Sequence, residues 1–353
     1  MLGSFLDKAT GLLDRLFIIA YWFPVFIVSV IAILIKVYVY GWEAALGWWQ
    51  QSWMLKGQES GFYAQIWIIV GTLIIISVLA YMLQPFTRPI IKFYEGYWPL
   101  DLQRWFINFP VLGMKNNWEK KSKQQECILE KIDCILEKIQ QCRVDENKDL
   151  EKYNQLQVQY NQLQIQCNQL QILLFYGYPP NENRLMPTRL GNALRAAEDY
   201  PRTVYGMDSV FWWPRLWPLL PDVVRNEVNE SMVPIVTLLN LASLTAVVAI
   251  LGSLYFIFEN LSWQALFLSF GGLLLALISY RAAVSQAINY GENIRMAIDL
   301  YRFNLLKALH QPLPKTLDEE IKLWDRLLLW IYTGDRGSVV DMKYNYYESS
   351  STD

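Results

Sequence analysis

Histidine is almost missing from this chain: His310 is the only one among 353 residues. A catalytic triad or a histidine-bearing metal centre therefore has almost no material. His310 lies just before Pro312, where a helix-terminal imidazole is favoured by the helix dipole. The four cysteines, Cys127, Cys134, Cys142 and Cys167, form no Cys-x-x-Cys pair. Their spacing suits packing better than zinc, and in a cytosolic segment they should stay reduced. Gly-x-Gly-x-x-Gly, Gly-Lys-Ser/Thr and Gly-x-Ser-x-Gly are all absent. Neither an enzyme nor a bound cofactor or metal is expected. A net charge of −2 offers no basic footprint, so no nucleic acid is expected as a partner.

Charge is missing locally as well. Residues 16–35, 60–87 (up to Thr87), 232–258 and 260–280 carry none, and each is long enough for a bilayer, which takes about 20 residues. Glu259 alone separates the last two, so they form a tight helical hairpin. The first run is too long for a signal-peptide core and is followed by Lys36-Val37-Tyr38-Val39-Tyr40, with no cleavage site. Lys8, Arg15, Arg88, Lys92, Arg104, Arg215, Arg225, Arg281, Arg295 and Arg302 flank one side. The other side has Lys56, plus Lys36 at a helix end. The bias predicts an inner (plasma) membrane protein with both termini and the long middle segment cytosolic. No carboxylate lies at bilayer depth, which leaves a proton relay without a candidate.

What the chain has in abundance is aromatic residues and heptads. Its 15 tryptophans and 21 tyrosines suit membrane interfaces. Trp42, Trp48, Trp49 and Trp53 predict an external interfacial helix over 42–56. Asp/Glu-Cys-Ile-Leu-Glu-Lys-Ile occurs twice from Glu126, and Asn-Gln-Leu-Gln-Val/Ile begins at Asn154, Asn161 and Asn168. Both have period seven. Ile128, Ile132, Ile135, Ile139 and Cys142 make one seam. Tyr153, Leu156, Tyr160, Leu163, Cys167, Leu170 and Leu174 make a second. The local Gln alternation could suggest a strand, but it slips phase at every Asn-Gln while the heptad never does. The pattern predicts an antiparallel coiled-coil hairpin over 117–175 with a polar turn at 143–149.

The resulting expectation is an all-α membrane protein: four transmembrane helices, the cytosolic hairpin and a helical C-terminal segment. An N-terminal membrane hairpin occupies 1–86, with helices over 16–39 and 62–84. A cytosolic segment covers 87–230, after a helix break at Pro85 and Pro89. Within it a helix from Leu190 should end at Tyr200-Pro201, and the aromatic stretch 208–220 reads as an interfacial elbow. The second membrane hairpin spans 231–280, and cytosolic helices follow over 281–333. The fourth membrane helix continues past the bilayer with Ile288, Ile294, Ile298, Tyr301, Leu305 and Leu309 on one face. Thr316-Leu317-Asp318-Glu319 reads as a capping box. Residues 334–353 read as a disordered tail.

Three patches resemble a group of bacterial multi-pass membrane proteins with a cytosolic helical segment and no established activity. The first is Glu95-Gly96-Tyr97-Trp98. The second runs from Leu190-Gly191-Asn192-Ala193 through Tyr200-Pro201, with Tyr205-Gly206-Met207-Asp208 and Trp213-Pro214-Arg215-Leu216-Trp217. The third is Asp299-Leu300-Tyr301-Arg302-Phe303-Asn304-Leu305-Leu306. The resemblance supports the architecture and implies nothing about mechanism.

Two functional classes follow. Thr237, Asn240 and Ser243, three apart on the third membrane helix, could line the pore of a homo-oligomeric channel. The favoured reading is hydrogen bonding to neighbouring helices, and Gly272 and Ala276 read as a close-packing pair. The other class, which the coiled coil favours, is a scaffold or signalling component. It binds a second copy or a cytosolic protein through the hairpin, and the bilayer only anchors it. Arg189, Arg195, Glu198, Asp199 and Asp208 read as a solvated, mutually paired helix face or as a ligand pocket.

Overall fold

The computed structural model describes residues 17–41, 62–109, 113–144 and 150–334. The interfacial helix expected over 42–56, most of the polar turn and the tail beyond Gly334 lie outside them, as do Lys8, Arg15 and Lys56. The described residues are helical, with no strand among them. Four helices are long and apolar enough to cross a membrane: Ile18–Tyr40, Ile69–Glu95, Asp222–Phe258 and Ser262–Ala308. The chain divides into two compact units, 1–94 with 229–286, and 95–228 with 287–353.

The first unit holds helix α1 (Phe23–Tyr40), entered through a π-turn at Ile18–Trp22, and α2 (Phe62–Leu83). Helix α3 (Thr87–Glu95) follows α2 after a 3-10 turn at Gln84–Phe86, so Pro85 tightens the helix here where a break was expected. Proline has no N–H to give, and the tighter turn absorbs the loss. Val25, Ile76 and Ala80 are buried together, with Trp22 stacked on Phe26 at 5.1 Å. Trp22 Nε1 donates to Ser77 Oγ at 3.2 Å. A Cβ on Gly272 would lie 2.4 Å from Ala249 Cβ, so glycine permits that close approach.

The second unit contains α4 (Leu100–Asn108), α5 (Met114–Val144), α6 (Leu150–Gly177), α7 (Arg189–Tyr205), α8 (Ser209–Leu216) and α11 (Leu317–Thr333). The start of α9 (Asp222–Phe258) and the end of α10 (Ser262–Ala308) complete it. Its core encloses Trp212, Leu216, Ile298, Leu306 and Trp324, with the two indoles 5.2 Å apart. Trp212 and Leu216 are both 0% exposed, so this part of the expected interfacial elbow is interior to a helical core. One side of α8 has helical partners to cover it, and burial there outweighs the preference of tryptophan for an interface.

Helix α7 passes through Pro201 and ends at Gly206, beyond the expected stop at Tyr200-Pro201. The proline costs one internal hydrogen bond. Burial of Pro201 itself, the bond from Tyr205 to Asp299, and a left-handed Gly206 whose N–H donates to Arg202 O hold the last turn in place. The capping box at α11 is formed: Thr316 Oγ1 accepts from Glu319 N at 3.2 Å, and Glu319 Oε2 accepts from Lys315 N at 2.8 Å. Along α10, Ile298 and Leu305 are buried, while Ile288, Ile294, Tyr301 and Leu309 are half-buried.

Candidate functional site

Two sets of residues hold the chemistry that the sequence singles out. The first is the polar stripe of α9. Phe23 N bonds Ile18 O, the five-residue reach of a π-turn. Pro24 follows with no N–H at all. Ile19 O thereby loses both its α-type donor, Phe23 N, and its π-type donor, which would be Pro24. Ala20 O likewise loses its α-type donor. Two side chains from α9 supply replacements: Thr237 Oγ1 donates to Ile19 O at 3.3 Å, and Asn240 Nδ2 donates to Ala20 O at 2.8 Å. Asn240 is fully buried, and its Oδ1 has no partner among the described residues. Ser243 bonds Leu239 O at 2.8 Å and lies 3.4 Å from the Tyr94 hydroxyl. The stripe thus meets a proline-made gap in its neighbour. The sequence signal was Pro24 inside an apolar span, which the expectations above leave unused.

The second set surrounds α7. Its entry is locked to the 95–97 segment. Thr188 Oγ1 accepts from Gly191 N and donates to Glu95 O at 2.9 Å. Asn192, fully buried, clasps both backbone groups of Met186 at 2.8 Å. A Cβ on Gly191 would fall 2.1 Å from Glu95 O, so only glycine fits there. Arg184 grips the buried Asp199 with two bonds of 2.8 and 2.6 Å, while Arg195 pairs Glu198 at 2.7 Å and reaches the Tyr97 hydroxyl at 3.1 Å. Arg202 lies 3.5 Å from Asp208, and Arg189 is exposed. The charges of 189–208 are therefore largely paired, but in part below the surface.

At the other end of α7, Tyr200 donates to both carboxylate oxygens of Asp299 at 3.1 Å, and Tyr205 donates to one at 2.9 Å. Arg302 lies 3.9 Å over the Tyr205 ring and donates through Nε to Glu320 Oε1 at 2.7 Å. The Trp324 indole N–H donates to the same oxygen at 3.3 Å. Burial, then the bonds and charges of Tyr205 and Asp299, push the Tyr200 phenol well above its ordinary pKa, and burial raises Tyr205 too. Arg295, 5% exposed, is caged by Phe175, Tyr176 and Tyr200 and donates to Phe175 O at 3.1 Å. From the sequence, Arg295 and Arg302 read as flanking charges, with Arg302 also part of the third resemblance patch. Nothing local distinguishes them, because their partners lie over a hundred residues away or on another helix.

The three patches that carry the resemblance converge here: 95–97 and 190–208 meet at one end of α7, and 200–205 meets 299–302 at the other. Beside them, the start of α5, the end of α6 and α7 enclose a recess of about 280 Å³, walled by Trp118, Phe175, Tyr178, Pro179 and Tyr200.

Helices α5 and α6 pack against each other, and Lys121 Nζ near the start of α5 lies 3.5 Å from the hydroxyl of Tyr178, just past the end of α6. Ile128, Ile139 and Cys167 are buried. Ile132, Ile135 and Cys142 on α5, and Tyr153, Leu156, Tyr160, Leu163, Leu170 and Leu174 on α6, are half-buried. Cys127 and Cys134 are exposed. Compared with known protein families, with curated proteins and with solved structures, the chain finds no match, which leaves this geometry to carry the functional reading.

Proposed function

We propose that this chain is a membrane-anchored scaffold: a four-helix membrane part in the inner membrane, cytosolic termini, and an α5–α6 coiled coil that assembles a second copy or holds a cytosolic partner. The observation that carries the reading is the bonding of Thr237 and Asn240 to Ile19 and Ala20. The most polar residues of the third membrane helix are committed to closing a gap within the bundle, which is the work of an anchor and leaves a pore without its lining. The heptad seam of α6 adds support, since its protected positions follow the three-four spacing that such coils use. The polar network around α7 reads as structural, because its charges pair with one another.

Reconstitution in a planar bilayer tests the anchor. No conductance is expected, with Asn240→Leu indistinguishable from the parent. A steady current abolished by Asn240→Leu would overturn the reading in favour of a pore. Leu163→Pro, which breaks α6, should leave membrane insertion intact and abolish assembly.

A further inference from the structure

Helix α6 has a second face that the pairing with α5 leaves open. Val158, Ile165 and Ile172 are 55%, 57% and 57% exposed, although all three are β-branched and apolar. They recur every seven residues, on the side of the helix opposite the Leu156, Leu163 and Leu170 line. Gln155, Gln162 and Gln169, also exposed, fall three residues before each. Together the six positions are spaced three, four, three, four, three. That is the spacing of a coiled-coil seam, here alternating glutamine with valine or isoleucine. A helix packed on one side only would normally place its most polar residues there.

Resting on the scaffold reading above, we infer that this outer seam of α6 is the contact through which two copies of the chain associate, α6 against α6. Three observations select a second copy as the occupant. First, a seam of strict period seven is filled by a helix of the same period, and this chain carries one. Second, no charged residue occurs from 153 to 181. The face can meet its own image without like-charge repulsion and offers a charged partner or an anionic lipid surface nothing to grip. Third, the layers are self-complementary under two-fold symmetry. Antiparallel helices bring Val158 onto Gln169, Gln162 onto Ile165 and Gln155 onto Ile172, so each branched side chain rests on a glutamine stem. Parallel helices stack Ile165 on Ile165 and glutamine on glutamine, whose amides both donate and accept.

The contact is small, so its stability depends on both copies sharing one membrane. A 28-residue helix is about 42 Å long and about 10 Å wide, giving roughly 400 Å² a side. A standard soluble interface uses about 800 Å² per partner. Copies held in one bilayer share a high effective concentration, which offsets the smaller area.

Energy transfer between donor- and acceptor-labelled full-length chains in lipid vesicles tests this, with the dyes on the exposed thiols of Cys127 and Cys134. The parent should show transfer above the crowding level set by an unrelated labelled membrane protein at equal density. Val158→Gln/Ile165→Gln/Ile172→Gln should return it to that level with helical content unchanged by circular dichroism. If the triple variant loses helix, Ile165→Gln alone decides by the same criterion. Parent transfer at the crowding level overturns the second copy as occupant. A glutamine variant with parent-level transfer overturns the outer seam. If Leu163→Pro then abolishes transfer, the scaffold reading survives without this face; if it does not, both fall.

Discussion

At the scale of single residues, the pairing of Pro24 with Asn240 decides how the membrane part is read. Proline removes the N–H that would have bonded Ala20 O, and the amide of Asn240 replaces it. Asn240→Leu should therefore cost about 0.6 kcal/mol, the average for a hydrogen bond between membrane helices. Pro24→Ala restores the missing backbone donor, so in that background Asn240→Leu should cost measurably less. A double-mutant cycle on thermal stability in detergent reads the coupling. Additive changes would show that the two residues do not share a carbonyl. A second residue-scale prediction concerns Tyr200. Its phenol pKa is raised in the folded protein, so the unfolded chain loses that proton first as the solution becomes alkaline. The contribution is intact below the unfolded value of about 10 and is lost as pH rises beyond it. Tyr200→Phe should lower the melting temperature at neutral pH, because a hydrogen bond to a carboxylate is worth about 1.5–3 kcal/mol. It should also flatten the decline above pH 10. An unchanged alkaline slope would assign that decline to other groups.

At the scale of elements, the join between α10 and α11 rests on Arg302 and Glu320, whose side chains are 14% and 5% exposed. Arg302→Met keeps the bulk of the side chain and leaves Glu320 buried without its cation. Breaking such a pair typically costs about 3–5 kcal/mol. Arg302→Met with Glu320→Gln should recover part of the loss, since the buried charge is then gone. Melting curves of the three proteins check this, and a double variant as unstable as the single would point to lost packing over Tyr205 instead. The pair also shows what the sequence could and could not reveal. Elements written in local pattern were legible: the charge-free runs, the seven-residue repeats that became α5 and α6, the Thr316 box, the long apolar face of α10. Features settled by distant neighbours were not. Tyr200-Pro201 reads as a stop, yet α7 continues because Pro201 is buried and Tyr205 beyond it bonds Asp299 on another helix. Trp212 reads as an interfacial anchor, yet it is enclosed with Trp324 from over a hundred residues away. Arg302 looks like one more flanking charge until Glu320 is placed beside it. The outer seam of α6 was different, since its period of seven was visible in the Asn-Gln-Leu-Gln-Val/Ile repeat and only its exposure was not.

At the scale of the whole molecule, the proposed topology puts both termini and all four cysteines on the cytosolic side. The argument is electrostatic: Arg88, Lys92, Arg104, Arg215, Arg225 and Arg281 flank spans on that one side, and lysine or arginine near a span resists translocation. Cys127 and Cys134 report on it directly, being exposed on α5 and hence reactive wherever reagent can reach. In intact cells a membrane-impermeant maleimide should leave both unlabelled, and permeabilising the membrane should label both. Cys167, which is buried, should react only after denaturation. This internal contrast matters, because a lack of labelling in intact cells could otherwise reflect burial alone. Labelling of Cys127 before permeabilisation would invert the topology and move the α5–α6 pair to the outer face. The proposed coiled coil would then have to find its partner outside the cytosol, and the cysteines would meet an oxidising compartment.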